Sequence, residues 1–285
     1  MSTVPGAQPD DHRAVPTGTP NAGAAIVYSP VAMKAAEENP RLLIDQPGWR
    51  VDGVFGFAKQ QGTIAFRNGG RKLDVKMSWY PAGWYDSYHA DRLKVSAPKP
   101  VTVDGWPGEL FRYSDHDFAV MLRPRDGVFV ELYAGGGWTR TEFDRFLTHV
   151  VRVDVRTWLA ALPPEIVTPE RVDAQAAKVL ADVPLPPNFD VAALNDVGTN
   201  DSYQFGAQVT SRVGCAWIAE WLRAERAGDD AARRRAAGAL RSSHNWQVLH
   251  QMKSRGAWPE EFWRVADKVA AGHPPADYAG ALGCA

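Results

Sequence analysis

The chain has 285 residues, of which 45% are hydrophobic and 23% charged, and a formal net charge of −1. That composition supports an ordinary buried core and excludes collagen-like and wholly disordered chains. The charge is also evenly split, 18 basic against 16 acidic residues in 26–162 and 13 against 15 in 163–285, which excludes a nucleic-acid polyanion as the expected partner.

Met1 to Asn21 is rich in Pro, Gly, Thr, Ala and Asp and reads as a linker or tail over 1–25. It has neither the basic start nor the apolar middle of a signal peptide. The uncharged run Ala22 to Tyr28 falls far short of the roughly 20 residues of a membrane span, and no other segment reads as one. Residues 31–39 predict a short helix ended by Pro40. Strand signals follow. Trp49, Val51, Phe55 and Phe57 lie at even spacings, then come Ile64, Phe66 and the hairpin turn Asn68-Gly69-Gly70. Leu73, Val75, Met77 and Trp79 alternate with Lys72, Asp74, Lys76 and Ser78. One dry face and one wet face predict an antiparallel sheet covered on one side.

The aromatic segment Trp79 to His89 interrupts the strands, with Trp84, Tyr85 and Tyr88 spaced for a short helix. Strands resume at 101–103, 110–113, 118–122 and 128–133, joined by the turns Ser114-Asp115-His116-Asp117 and Pro124-Arg125-Asp126-Gly127. Residues 118–122 are apolar on both faces and belong centrally in the sheet. Thr139 and Glu142 form a capping box, and Phe143, Phe146, Leu147 and Val150 continue as a helical stripe. Trp158, Leu159 and Leu162 predict a second short helix before Pro163-Pro164.

Beyond Pro164 the strand signals vanish. Thr168 is expected to cap a helix with Pro169 in its first turn and Val172, Ala176, Val179 and Leu180 on its stripe. A long helix starts near Asp201, with Phe205, Val209, Val213, Trp217 and Trp221 in steps of four, and further helices are predicted at 230–241, 244–254 and 259–271. The expected class is α+β: an antiparallel β-meander sheet covered by helices over 26–162, followed by an all-α domain over 163–285.

The sequence shows no catalytic signature. There is no Gly-x-Ser-x-Gly, and Gly135-Gly136-Gly137 lacks the Lys-Ser/Thr of a phosphate loop. Asp115-His116-Asp117 reads as a hairpin turn. No catalytic residue, metal site or cofactor is assigned. The candidate ligand-binding residues are Trp79, Tyr80, Trp84, Tyr85, Tyr88 and His89, as walls of an aromatic cleft, with core packing as the competing reading. Cys215 sits in the most apolar helix of the second half, and Cys284 lies where a chain end frays unless tied down. They are expected to pair as a disulfide, which closes about 70 residues and contributes roughly 4 kcal/mol, whereas a reducing compartment keeps both as thiols.

Four segments carry a resemblance: Gly48-Trp49-Arg50-Val51-Asp52-Gly53-Val54, Thr157-Trp158-Leu159-Ala160-Ala161-Leu162-Pro163, Tyr203-Gln204-Phe205-Gly206-Ala207 and Gly283-Cys284. They are similar to segments of uncharacterised actinobacterial membrane-anchored proteins. The strand-rich half resembles the extracytoplasmic domains of bacterial anti-sigma-type and sigma-associated membrane proteins. Covering residues 25–285, the resemblance brings no catalytic residues. It implies the soluble, extracytoplasmic part of an anchored protein, serving in sensing, scaffolding or binding of another envelope protein. The alternatives are a hydrolase-like enzyme, with His89, Asp91 and His116 as candidates, or a small-molecule binding module with a cleft near 79–89.

Overall fold

The computed structural model describes residues 30, 33–34, 41–58, 61–69 and 73–284. The expected tail over 1–25 lies outside them. Of the helix expected at 31–39, Met33 and Lys34 are described, and both are helical. The chain divides into two units, 1–53 with 59–163 and 54–58 with 164–285.

The first unit carries β1 (Leu42–Ile44), β2 (Trp49–Ala58, whose last five residues count with the second unit), β3 (Gln61–Asn68), β4 (Leu73–Pro81), α1 (Tyr85–Leu93), β5 (Lys99–Val103), β6 (Trp106–Arg112), β7 (Phe118–Leu122), β8 (Val128–Gly135), α2 (Arg140–Leu147), β9 (Val150–Arg152) and α3 (Val155–Ala161). Seven strands form one antiparallel sheet in the order β2-β3-β4-β8-β7-β6-β5. β1 and β9 pair separately as a two-stranded ladder.

The period-2 pattern explains the main core. Ile64, Met77, Leu132, Val120 and Leu110 stand opposite one another in a single row across five strands, and all are buried. α2 covers this face, where Phe143 stacks on Phe118 with ring centroids 5.3 Å apart. The helix begins at the expected capping box: Thr139 Oγ1 accepts the Glu142 amide while Glu142 Oε2 accepts the Thr139 amide. β7 is buried at all five positions and paired on both sides, as its two-sided apolar pattern requires.

Four expectations are corrected. The sheet is covered on both faces, because α1 lies over Phe111, Met121 and Phe129 on the second one. The alternation in β2 slips: Val51 and Val54 are both buried, three residues apart, and Phe55 is 48% exposed. The kink falls in a stretch with Gly53 and with Gly56 at φ +61°, a conformation glycine adopts without strain. Val150 belongs to β9, because α2 ends at Leu147. Thr168 accepts no amide from the helix that follows; its hydroxyl lies 3.5 Å from Glu170 Oε2, and a 3₁₀ turn at Pro169–Arg171 leads into the helix instead.

The second unit carries α4 (Val172–Val179), α5 (Ser202–Ala227), α6 (Asp230–Ser242), α7 (Gln247–Met252), α8 (Trp258–Ala270) and α9 (Tyr278–Leu282). α5 starts at Asp201, whose Oδ1 accepts the Tyr203 and Gln204 amides, and buries Phe205, Val209, Val213, Trp217 and Trp221 along one stripe. It passes very close to α8: a Cβ on Gly214 would stand 2.7 Å from Phe262. Beside the last residues of β2, this unit holds one isolated bridge, Val167 to Asn200, among the described residues.

α3 offers a direct test of capping. Asp154 Oδ1 accepts the Thr157 amide at 2.9 Å and Oδ2 accepts the Thr157 hydroxyl at 2.7 Å. These bonds, the amide first, hold its carboxyl below the usual aspartate range. Asp154→Ala is expected to cost about 1 kcal/mol at neutral pH. A depressed folded pKa contributes stability above the unfolded value and loses it as pH falls, so the deficit shrinks toward about pH 3. Urea denaturation at both pH values measures it.

Candidate functional site

α1 follows from Pro81 through a 3₁₀ turn at Ala82–Trp84. Asp86 in its first turn and Arg92 in its last suit the helix dipole. Its inward stripe, at i, i+3, i+4 and i+7, is Tyr85, Tyr88, His89 and Arg92. These side chains have apolar bodies and polar tips, so the helix packs and hydrogen-bonds with the same four residues.

The sheet beneath has a matching row. Thr63, Ser78, Glu131, Met121 and Glu109 stand opposite one another across β3, β4, β8, β7 and β6. Two strand spacings separate the acids, about 10 Å. Each meets one α1 side chain. His89 Nε2 lies 2.5 Å from Glu109 Oε2. Arg92 donates two bonds to Glu131, Nε to Oε1 at 2.5 Å and Nη2 to Oε2 at 2.9 Å. The second pair is the drier, with side chains 21% and 9% exposed, and the hydrogen bond to Glu131 raises the Arg92 pKa further. Arg123 approaches the other oxygen of Glu109 at 3.6 Å.

Aromatic rings fill the space between the two charged pairs. Tyr80 and Phe129 centroids are 5.3 Å apart, and Tyr80 and Tyr88 4.8 Å. Tyr85 meets Phe129 edge-on and stacks on His89. Burial pushes the Tyr80, Tyr85 and Tyr113 phenols up, and the Glu109 charge adds to this at Tyr85. All three therefore stay neutral at physiological pH.

Of the six residues singled out as cleft walls, five gather here: Tyr80, Trp84, Tyr85, Tyr88 and His89. Trp79 does not. It alternates to the opposite face of β4 and is fully buried in the main core. A depression of about 480 Å³ lies beside Glu109 and Arg123, walled by β5 and β6 residues around Pro100 and Pro107 and by none of residues 79–89.

The hydrolase candidates are not brought into one constellation. His89 holds Glu109, Asp91 pairs with Lys94 at 2.7 Å on the exposed side, and His116 Nδ1 lies 3.1 Å from the Trp138 carbonyl. The Lys94 hydrogen bond pulls the Asp91 carboxyl below its ordinary value. The Asp115-His116-Asp117 segment is a turn, held by Arg112 on Asp115 and by the Ser114 hydroxyl on Asp117. Among the described residues no three His, Cys, Asp or Glu side chains are placed to share a metal ion.

The surface around α1 is unusually apolar. Trp84, Leu93, Val95, Tyr113 and Tyr133 each remain 39–50% exposed, five of the eight large hydrophobic side chains this exposed among the described residues. Tyr113 meets Tyr133 edge-on, and the Arg92 guanidinium lies 5.9 Å from the Tyr88 and Tyr113 ring centres. Sequence reasoning missed Glu109, Glu131, Tyr113 and Tyr133. The signal for the two acids was a lone carboxylate inside each of two apolar strands, WPGELFR and VFVELYAG.

The second unit holds the two cysteines. The Cys215 and Cys284 sulfurs are 2.03 Å apart with Cα atoms at 5.6 Å, a disulfide joining α5 to the chain end.

Compared with known proteins, the chain matches no family model, no curated protein sequence and no solved structure. What defines the class is the α+β fold itself, an antiparallel sheet with helices followed by a helical unit closed by a disulfide.

Proposed function

We propose that this chain is a non-enzymatic, extracytoplasmic binding domain of a bacterial envelope protein, and that it holds another envelope protein through the α1 face. The observation that carries the reading is the gathering of exposed Trp84, Leu93, Val95, Tyr113 and Tyr133 on and around one helix. Aromatic side chains and arginine are enriched at protein interfaces, and concentrated exposed apolar surface on a folded domain marks a place of contact. The paired charges support it, because they fix α1 on the sheet and so pre-organise the face. The compartment is supported by the Cys215–Cys284 bridge, since disulfides persist in oxidising surroundings and are rare in a reducing cytosol.

Two measurements test this. Source cells are alkylated before lysis, then reduced and labelled a second time. Cys215 and Cys284 are expected to take only the second label; uptake of the first places the chain in a reducing compartment and removes that half of the reading. Second, Trp84→Ala with Tyr133→Ala is expected to change stability by no more than about 0.5 kcal/mol per site, as both side chains are exposed. The same variant is expected to abolish cross-linking to the envelope partner. Unchanged cross-linking by a normally folded variant overturns the assignment of the face.

A further inference from the structure

We infer that an open depression of the second unit, framed by Phe55, α5, α8 and α9, binds a neutral pyranose sugar. The inference is independent of the α1 face.

The depression has a volume of about 290 Å³. A cavity of about 150 Å³ accepts a benzene ring, so this volume suits one pyranose ring with its hydroxyls. Two rings stand at it, Phe55 and Trp258. Phe55 is 48% exposed, yet the backbone on either side of it is fixed. The Val54 carbonyl accepts the Asp201 amide at 2.7 Å, and the Gly56 amide donates to Asn200 Oδ1 at 2.7 Å. The slip in β2 thus holds an aromatic ring out from a rigid support, as irregularities of strand pairing do beside functional sites. Trp258 is held at both ends. Its backbone amide donates to the Tyr203 hydroxyl at 3.0 Å and its indole N–H to Thr210 Oγ1 at 2.8 Å. With the indole donor spent, the side chain offers ring carbon to the depression. The α9 wall is fixed as well, by the Ser211 hydroxyl on the Leu282 carbonyl and by the Cys215–Cys284 bridge. A site formed in advance loses less ordering free energy when it binds.

The polar groups are amides. Gln204 and Gln208 stand one turn apart on α5, and both line the depression. Neither side-chain amide has a hydrogen-bond partner among the described residues. Each carries two donors and one acceptor. No described residue lining the depression is charged. An ionic ligand finds no countercharge here, and a hydrocarbon covers the two amides without pairing them. A pyranose has both characters at once: C–H groups on its ring faces, and hydroxyls around its edge that donate and accept. Its face lies on Phe55 and Trp258 while neighbouring hydroxyls meet Gln204 and Gln208. An extended peptide is the competing neutral ligand. It is recognised through a row of free backbone donors and acceptors, which α5 and α8 have spent within themselves.

Saturation-transfer NMR on the full chain tests this. The probes are the methyl β-glycosides of glucose, galactose and N-acetylglucosamine, with methyl β-glucuronide and N-acetyl-trialanine amide beside them. At least one neutral glycoside is expected to bind saturably, with transfer strongest to the C–H protons of one ring face. The glucuronide is expected to bind no tighter than the glucoside. Phe55→Ala is expected to weaken the glycoside at least about 10-fold and Gln208→Leu about 5-fold, the fold-changes for one buried ring and one hydrogen bond. Phe55→Trp keeps a ring and is expected to keep the affinity. Phe55 is exposed and the Gln208 amide is unpaired, so all three variants keep the wild-type melting curve, which serves as the folding control. An absence of saturable transfer to every neutral glycoside at about 10 mM overturns the site, as does binding of the peptide alone. Tighter binding of the glucuronide overturns the neutral assignment. Glycoside binding that neither Phe55→Ala nor Gln208→Leu changes puts the sugar elsewhere on the chain and overturns the inference.

Discussion

Replacing both Cys215 and Cys284 with serine is expected to lower the stability of the helical unit by about 4 kcal/mol and its melting temperature by roughly 10–20 °C. The bridge spans 69 positions, so its main effect is on the unfolded chain, where it removes loop-closure entropy. The folded end does not depend on it. Leu282 is buried, the Ser211 hydroxyl donates to the Leu282 carbonyl at 2.5 Å, and Gly283 at φ +68° turns the chain so that the Cys284 amide reaches the Ala279 carbonyl. The serine variant is therefore expected to fold to the same structure. α9 has five residues and is too short to hold its helix alone, so without the bridge its amides are expected to exchange before the rest of the unit opens. Urea curves of oxidised and reduced protein measure the first effect and native-state exchange the second. Coincident urea curves sink the argument.

The elements legible in the sequence are those whose signal is local. The capping box at Thr139 and Glu142, the Asp126-Gly127 turn with both residues at positive φ, and the α5 stripe each rest on contacts within a few residues. The errors lie where distant chain decides. β1 and β9 are three residues each and pair across more than 100 positions, so neither carries a periodic signal of its own. Val150 fits the α2 stripe by spacing, but it stands opposite Ile44 in the β1–β9 ladder. Phe55 fits the strand alternation, yet the slip near Gly53 turns it out of the core.

The candidate site was legible on one side. Spacing alone put Trp84, Tyr85 and Tyr88 on a helix, and composition marked the aromatic segment. It could not say which face of β4 each aromatic takes relative to that helix, and so grouped Trp79 with Tyr80. The receiving side is set by strand register. Glu109 and Glu131 are 22 positions apart in sequence and become neighbours of one row only once β6, β7 and β8 pair. A buried carboxylate in an apolar strand is the trace such a row leaves in a sequence.

That row makes Arg92→Ala the most damaging single substitution expected at the α1 face. Removing the guanidinium strips Glu131 of two hydrogen bonds and leaves a carboxylate that is 9% exposed between Ser78 and Met121. The expected cost is about 3 kcal/mol, at the lower end for a broken buried pair because Arg92 keeps some contact with water. The pair itself adds less than this, since bringing both charges out of water offsets most of their attraction. Arg92→Met with Glu131→Leu is accordingly expected to lie within about 1 kcal/mol of the wild type. His89→Ala provides the contrast. Glu109 is 20% exposed and retains Arg123 at 3.6 Å, so losing the imidazole is expected to cost only about 1 kcal/mol. The ordering carries the test: Arg92→Ala below His89→Ala, with the apolar pair restoring what the single variant loses. If the two single variants are equal in urea denaturation, Glu131 is not buried by α1. If the apolar pair is as unstable as Arg92→Ala, the lost contacts of Arg92 with Tyr88 and Tyr113, and not an abandoned charge, hold the helix to the sheet.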